Sequence, residues 1–319
     1  MRESKERIKL SVVVPVFSEI SNIEALVISI EKAVEELEVD YEVIFVDDGS
    51  DDGTWEIIKT LAEKSNIIRG AQFSRNFGKE SAIQAGLELS SGDVIITIDG
   101  DMQHPPEVIP LMFSMWKANE ADIVDVVKRN RQKETALRKT FAQSFYKLFS
   151  ILSDLNINNA TDFKLLDRSV VDALLRMNET NRFYRGLTSW LGYKHGSIEI
   201  NIADRLSGKT KWSATSLVSY AFNNLLNFST KPLILIGVFG VFFLLLATVI
   251  GTISIIRIFT NTSLGGFPTV IFLQLLIGGI IIASICLLGI YIGKLITEVK
   301  HRPLYIIKEK VNLDTQENK

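Results

Sequence analysis

The sequence predicts an α/β protein in two parts: a mostly parallel sheet flanked by helices, followed by a C-terminal two-helix transmembrane hairpin. Three observations carry this. Strand-like and helix-like runs alternate with short loops from Leu10 to Ile98. Two long uncharged apolar runs follow Lys231. Acidic residues gather where the predicted strands end, and such sheets bind ligands at the carboxyl ends of their strands.

The elements follow in order. Leu10–Val16 (LSVVVPV) reads as a buried strand and Ile23–Leu37 as a helix with Asn22 as its cap. Tyr41–Val46 is the second strand and Thr54–Glu63 the second helix. Ile67–Phe73 is the third strand, Lys79–Leu89 the third helix, and Asp93–Ile98 the fourth strand. Ala136–Leu152 places Phe141, Phe145, Leu148, Phe149 and Leu152 at helical spacing, suited either to the domain core or to a membrane surface. Ser213–Thr230 mixes apolar and polar residues as an interfacial amphipathic helix does.

Leu233–Ile256 and Phe267–Gly293 carry no charge, and a bilayer core needs roughly 20 helical residues. The short linker between them holds only Arg257. Lys209, Lys211 and Lys231 precede the pair, and Lys294, Lys300, Arg302, Lys308 and Lys310 follow it. Positive charge stays on the cytoplasmic side, so the large domain and the tail are expected there. Met1–Lys9 is charged and lacks the apolar stretch of a signal peptide, which agrees. The expected division is therefore 1–212 as a cytoplasmic catalytic domain, 213–232 as a juxtamembrane segment, 233–259 and 267–293 as the spans, and 294–319 as a cytoplasmic tail. A two-helix anchor gains from packing against copies of itself, so a homo-oligomer is expected. The formal net charge of -2 gives no electrostatic case for nucleic acid. The single cysteine, Cys286, excludes an intrachain disulfide and a Cys-rich zinc site.

The strand ends hold the chemistry. Glu19 follows the first strand, Asp47 and Asp48 end the second, and Asp99 and Asp101 follow the fourth. Uncompensated carboxylates repel, so the cluster expects a cation. Mg²⁺ and Mn²⁺ favour oxygen ligands, commonly one or two carboxylates with phosphate oxygens and water. In Asp99-Gly100-Asp101 both carboxylates project to one side of an extended chain.

Several segments carry a resemblance: VVVPVFSE (12–19), VDDGSDDGT (46–54), FSRNFGKESAIQAG (73–86), DGDMQHPPE (99–107), TDFKLLDR (161–168), DRLSGKTKW (204–212) and EVKHRPLY (298–305). In this order and spacing the chain resembles the family 2 glycosyltransferases of the GT-A fold, and within them the polyisoprenyl-phosphate glycosyltransferases, over nearly its whole length. The resemblance implies inverting transfer of a hexose from a nucleotide-sugar, a UDP-sugar by analogy, to a polyisoprenyl phosphate such as undecaprenyl phosphate at the cytoplasmic membrane face. It implies a base and ribose pocket at Pro15, Phe17, Glu19 and Asp48, a donor and metal contact at Asp99, and Mg²⁺ or Mn²⁺ held by Asp99, Asp101 and Gln103. Lys128 stands where the family often has Arg. Arg205 and Lys211 correspond to the pair that binds the acceptor phosphate, and Asp162 to a catalytic or orienting carboxylate. Ser18 replaces the usual Asn and Gly100 the usual Ala. Two other readings of the fold, a processive polysaccharide synthase and a non-catalytic scaffold, are disfavoured. There is no Gln-x-x-Arg-Trp element and there are only two spans, and the acidic and basic motif residues are all present.

Overall fold

A computed structural model describes residues 7–128, 160–177, 179–180, 182–200, 231–259 and 267–313. It falls into two compact units, one built from the first part of the chain together with the segment after Pro303, the other containing the two long helices.

In the first unit, β1 (Lys9–Val16), β2 (Asp40–Asp47), β3 (Ile68–Phe73) and β4 (Val94–Thr97) alternate with α1 (Ile23–Glu35), α2 (Thr54–Lys64) and α3 (Lys79–Leu89). A short turn, Pro106–Val108, leads into α4 (Ile109–Lys117), followed by β5 (Ile123–Lys128). Next come β6 (Ala160–Asp167), α5 (Arg168–Leu175), α6 (Tyr184–Trp190), β7 (His195–Ile200) and β8 (Ile307–Val311). The strands form one sheet in the order β7-β5-β6-β4-β1-β2-β3-β8. β4, β1, β2 and β3 run parallel, whereas β6 is antiparallel to β4 and to β5, and β8 to β3. The predicted parallel sheet is therefore the centre of a larger mixed one.

The parallel strands are buried on both faces, which is why they read as unbroken apolar runs rather than alternating ones. Val12, Val13 and Val14 in β1 and Ile44, Phe45 and Val46 in β2 are all solvent-free. α1 covers one face through Ile23, Leu26, Val27, Ile30 and Val34, a helical stripe at three- and four-residue spacing. Each such side chain contributes about 1.5–3 kcal/mol on burial. Gly86 in α3 lies so close to β1 that a Cβ there would sit 2.1 Å from Val13 Cγ1, so only glycine permits this helix–sheet approach. Asn22 precedes α1 as expected, but its amide donates to Glu19 Oε2 at 2.6 Å rather than capping the helix.

The segment after Pro303, which reads from sequence as a tail, folds onto this sheet. β8 pairs with β3, and Tyr305 stacks on Phe73 with ring centroids 4.9 Å apart. Trp55 Nε1 donates to Glu309 Oε2 at 2.8 Å. Asn312 Nδ2 donates to the carbonyls of Ala62, Ser65 and Ile68 at 2.7, 3.2 and 2.9 Å. Asn312→Ala removes this shared donor, although the Ser65 carbonyl keeps the Ile68 amide at 3.2 Å, and losing partners for partly buried polar groups costs about 1–3 kcal/mol. The variant is expected to unfold several degrees below wild type when followed by tryptophan fluorescence.

The second unit holds α7 (Lys231–Phe259) and α8 (Phe267–Val299). Ile236–Ile253 and Leu276–Val299 are long and apolar enough to cross a membrane. α8 runs past the expected end at Gly293 to Val299. The sequence segments Ala136–Leu152 and Ser213–Thr230 lie outside the described residues.

Candidate active site

The loops after β1, β2, β3 and β4 converge at the carboxyl ends of their strands, as parallel pairing requires. Pro15 and Val16 close β1, in register with Val46 and Asp47 of β2. Ser18 takes a left-handed φ of 55°, unusual for a residue other than glycine. Its amide donates to Ser50 Oγ at 2.9 Å, and the Glu19 amide donates to Thr54 Oγ1 at 3.1 Å. Phe17 stands exposed at this rim. Pro15, Phe17, Glu19 and Asp48 thus belong to one end of the sheet.

Asp47 and Asp48 support this rim from below. Asp47 is fully buried and accepts from Gln72 Nε2 at 3.0 Å and from the Ser50 hydroxyl. Asp48 accepts from the amides of Phe77 and Gly78 at 2.6 and 2.9 Å. Burial, with help from neighbouring Asp47, raises the Asp48 carboxyl above its usual value against these amides. Asp48 therefore fixes the turn that starts α3, a structural task added to the ligand contact expected of it.

That turn aims Lys79, the first residue of α3, into the cluster. Its Nζ lies 2.6 Å from Asp99 Oδ1 and 2.5 Å from Asp162 Oδ2. The reason Asp162 is here lies in the register. Thr97 of β4 faces Lys164 of β6, so continuing the antiparallel ladder brings Asp162 opposite Asp99. Thr97 Oγ1 also donates to the Asp162 carbonyl at 2.6 Å. On its other side Asp162 accepts from Arg185 of α6, through Nε at 2.6 Å and Nη2 at 2.8 Å. Burial alone would raise the Asp162 carboxyl, but Lys79 and then Arg185 outweigh it and hold it far below the usual carboxylate range. The two carboxylates in turn raise Lys79 above an ordinary lysine, against the effect of burial. Glu80, next along α3, accepts the Tyr184 amide at 2.9 Å, and burial followed by the Asp162 charge pushes its carboxyl up to about 7.

Asp99, Asp101 and His104 each offer a ligand atom, all within 4.8 Å of one another. Two carboxylate oxygens and an imidazole nitrogen suit a small divalent ion such as Mn²⁺. Asp101 Oδ1 also accepts the Gln103 amide at 3.1 Å, which folds the loop tightly around the carboxylate. Val16 Cγ1 lies 2.7 Å from where a Cβ on Gly100 would stand, so Val16 fills the space that alanine would use.

The structure thus brings together Asp99, Asp101 and Asp162 among the expected site residues. Lys128 ends β5 in register with Ile200. Arg205 and Lys211 lie outside the described residues. Lys79, Arg185, His104 and Glu80 were not singled out from sequence. Lys79, Glu80 and His104 do sit within the segments 73–86 and 99–107 that carry the resemblance, which is the signal that could have found them.

The Glycosyl transferase family 2 profile matches residues 11–179. The chain is 35% identical over 315 residues to the uncharacterized glycosyltransferase YkcC of Bacillus subtilis (strain 168), covering 97% of this chain and 96% of that protein. It is 37% identical over 305 residues to the bactoprenol glucosyl transferase of Shigella phage SfV, covering 95% of this chain and 99% of that one. A solved structure, glucosyl-3-phosphoglycerate synthase from Mycobacterium tuberculosis in complex with Mn²⁺, UDP and phosphoglyceric acid, aligns with a TM-score of 0.47 and 21% identity over 67% of this chain and 75% of that one.

Proposed function

The chain belongs to the family 2 glycosyltransferases, and on that premise we propose that it moves a hexose from a UDP-sugar to a polyprenyl phosphate at the cytoplasmic face of a membrane, inverting the anomeric carbon. The observation that carries this reading is the Lys79–Asp162–Arg185 network beside the Asp99, Asp101 and His104 group. The relative named as a bactoprenol glucosyl transferase, matched nearly end to end, supports the acceptor class and makes glucose the first donor sugar to test.

The chemistry follows from the charges. A phosphate monoester has a second pKa of about 6, so the acceptor is mostly a dianion at neutral pH and is already nucleophilic. A general base is not needed. Asp162 fits this, since two cations keep it ionised and its lone pairs are spent on them. Its role is to hold Lys79 and Arg185 where negative charge from donor and acceptor must converge. Asp99, Asp101 and His104 would hold Mn²⁺ or Mg²⁺, which when bound supplies positive charge to the leaving diphosphate. Phe17, Pro15 and Glu19 are assigned to the nucleotide. Lys128 is assigned to the donor phosphates, Gln103 to support of the ion site, and Arg205 and Lys211 to the acceptor phosphate.

The membrane arrangement has support of two kinds. β8 follows α8 in the chain yet lies in the same sheet as β1–β7. β1–β7 and β8 thus belong to one folded unit, which supports an arrangement in which the two helices cross as a hairpin and return to the same side. The excess of Lys and Arg flanking the pair supports a cytoplasmic position for that unit.

The test is to incubate membranes containing the protein with a panel of radiolabelled nucleotide-sugars and extract with organic solvent. Label from one UDP-hexose, dependent on the protein, is the expected result. No extractable label from any donor in the panel would contradict the reading.

A further inference from the structure

Lys79 is ion-paired with two carboxylates that the proposed reaction uses differently. Asp99 supplies one of the three ligand atoms for a divalent ion. Asp162 is the bracket for the cations. An ammonium 2.6 Å from Asp99 Oδ1 shares with such an ion the carboxylate that must bind it, and two cations on one carboxylate repel each other strongly at that range. Asp162 does not depend on Lys79 alone, because Arg185 also neutralises it. The Lys79 side chain is long, flexible and 43% exposed, so it can turn away from Asp99 while keeping Asp162.

Resting on the function proposed above, we infer that Lys79 is the resident counter-cation of the divalent-ion site: it is displaced from Asp99 when the ion enters with the nucleotide, and is then held by Asp162 where the acceptor phosphate approaches. Lys79 is a positioning residue, acting through Asp99 and Asp162. The consequence is a link between half-sites. Filling the ion site releases a positive charge to the acceptor side, and by reciprocity an anion on the acceptor side favours ion binding.

The link gives two variants opposite signs. Lys79→Met keeps the stem and removes the charge, hence the competitor. In the purified full-length chain without nucleotide, its affinity for Mn²⁺, read from the electron paramagnetic resonance signal of free Mn²⁺, is expected to rise about tenfold. Its kcat is expected to fall about 100-fold or more, with donor KM changed less than about threefold. Asp162→Asn leaves Lys79 to Asp99 alone and is expected to weaken Mn²⁺ binding. Lys79→Arg, which restores the charge, should return Mn²⁺ affinity close to wild type. If Lys79 only braced β4 against β6, its removal would loosen the ion site. Weaker or unchanged Mn²⁺ binding in a folded Lys79→Met protein therefore overturns the inference and leaves the proposed function standing. Wild-type protein that binds no Mn²⁺, with or without UDP, overturns the ion site itself and the inference with it.

Discussion

Asp101→Asn is expected to lower sugar transfer by about a thousandfold or more while leaving the fold intact. The substitution keeps the shape of the side chain and its acceptor oxygen, so the 3.1 Å bond from the Gln103 amide can persist. It removes one of two carboxylates from the group formed with Asp99 and His104. The leaving diphosphate then loses part of the positive charge that offsets its own, and each factor of ten corresponds to about 1.4 kcal/mol of transition-state stabilisation. A thousandfold is thus about 4 kcal/mol, within the range seen when one electrostatic stabiliser is deleted. Organic-extractable label per unit of purified protein measures the effect, with a chelator-treated wild type as the reference. An Asp101→Asn enzyme of full activity would discard the ion site.

Asp162→Asn is the second large effect, and here both stability and rate should change. Removing one partner of a buried ionic group leaves the others uncompensated, at a cost of about 3–5 kcal/mol. Lys79 and Arg185 are 43% and 35% exposed, so water screens them and about 2 kcal/mol is expected. Turnover should fall at least about 100-fold, because Arg185 loses its bracket and Lys79 is left to Asp99, so neither cation is held where the acceptor phosphate approaches. The pH dependence separates this role from proton transfer. A carboxyl depressed by folding contributes stability that is fully present above its unfolded pKa, about 3.9, and is lost as pH falls through the lower folded value. The gap in stability between wild type and variant should therefore be constant at neutral pH and narrow below about pH 4. The rate of the wild type should show its acid limb near pH 6, where the lipid phosphate takes up its second proton. Residual activity of the variant should keep that limb. A limb in the wild type that disappears in Asp162→Asn would instead assign Asp162 as a base.

Much of this arrangement is legible in sequence because parallel strands buried on both faces leave long apolar runs, and the residues that end them are necessarily at one edge. Asp48, Asp99 and Asp101 are found that way. Asp162 and Lys79 are not, since their meeting depends on β6 running antiparallel beside β4 and on the turn that Asp48 fixes before α3. No spacing along the chain encodes that register. Arg185 is harder still, as it comes from a short helix with no repeating pattern. β8 is obscured for another reason. IKEKV is short and carries lysines, which suits an edge strand that must resist pairing with other chains, but the same composition reads as a solvated tail after a membrane helix. His104 stands before two prolines and reads as part of a turn, while the structure buries it beside Phe163.

The central claim is that a phosphate monoester, not a hydroxyl or a diphosphate, attacks the sugar. Purified protein supplied with Mn²⁺, a UDP-hexose and, in parallel, polyprenyl phosphate, polyprenyl diphosphate and polyprenol tests it in one mass-spectrometric measurement. The expected outcome is a hexosyl phospholipid formed only from the monophosphate, with one UDP released per product. Transfer to the free alcohol, or release of UMP with a phosphosugar retained on the lipid, would contradict it.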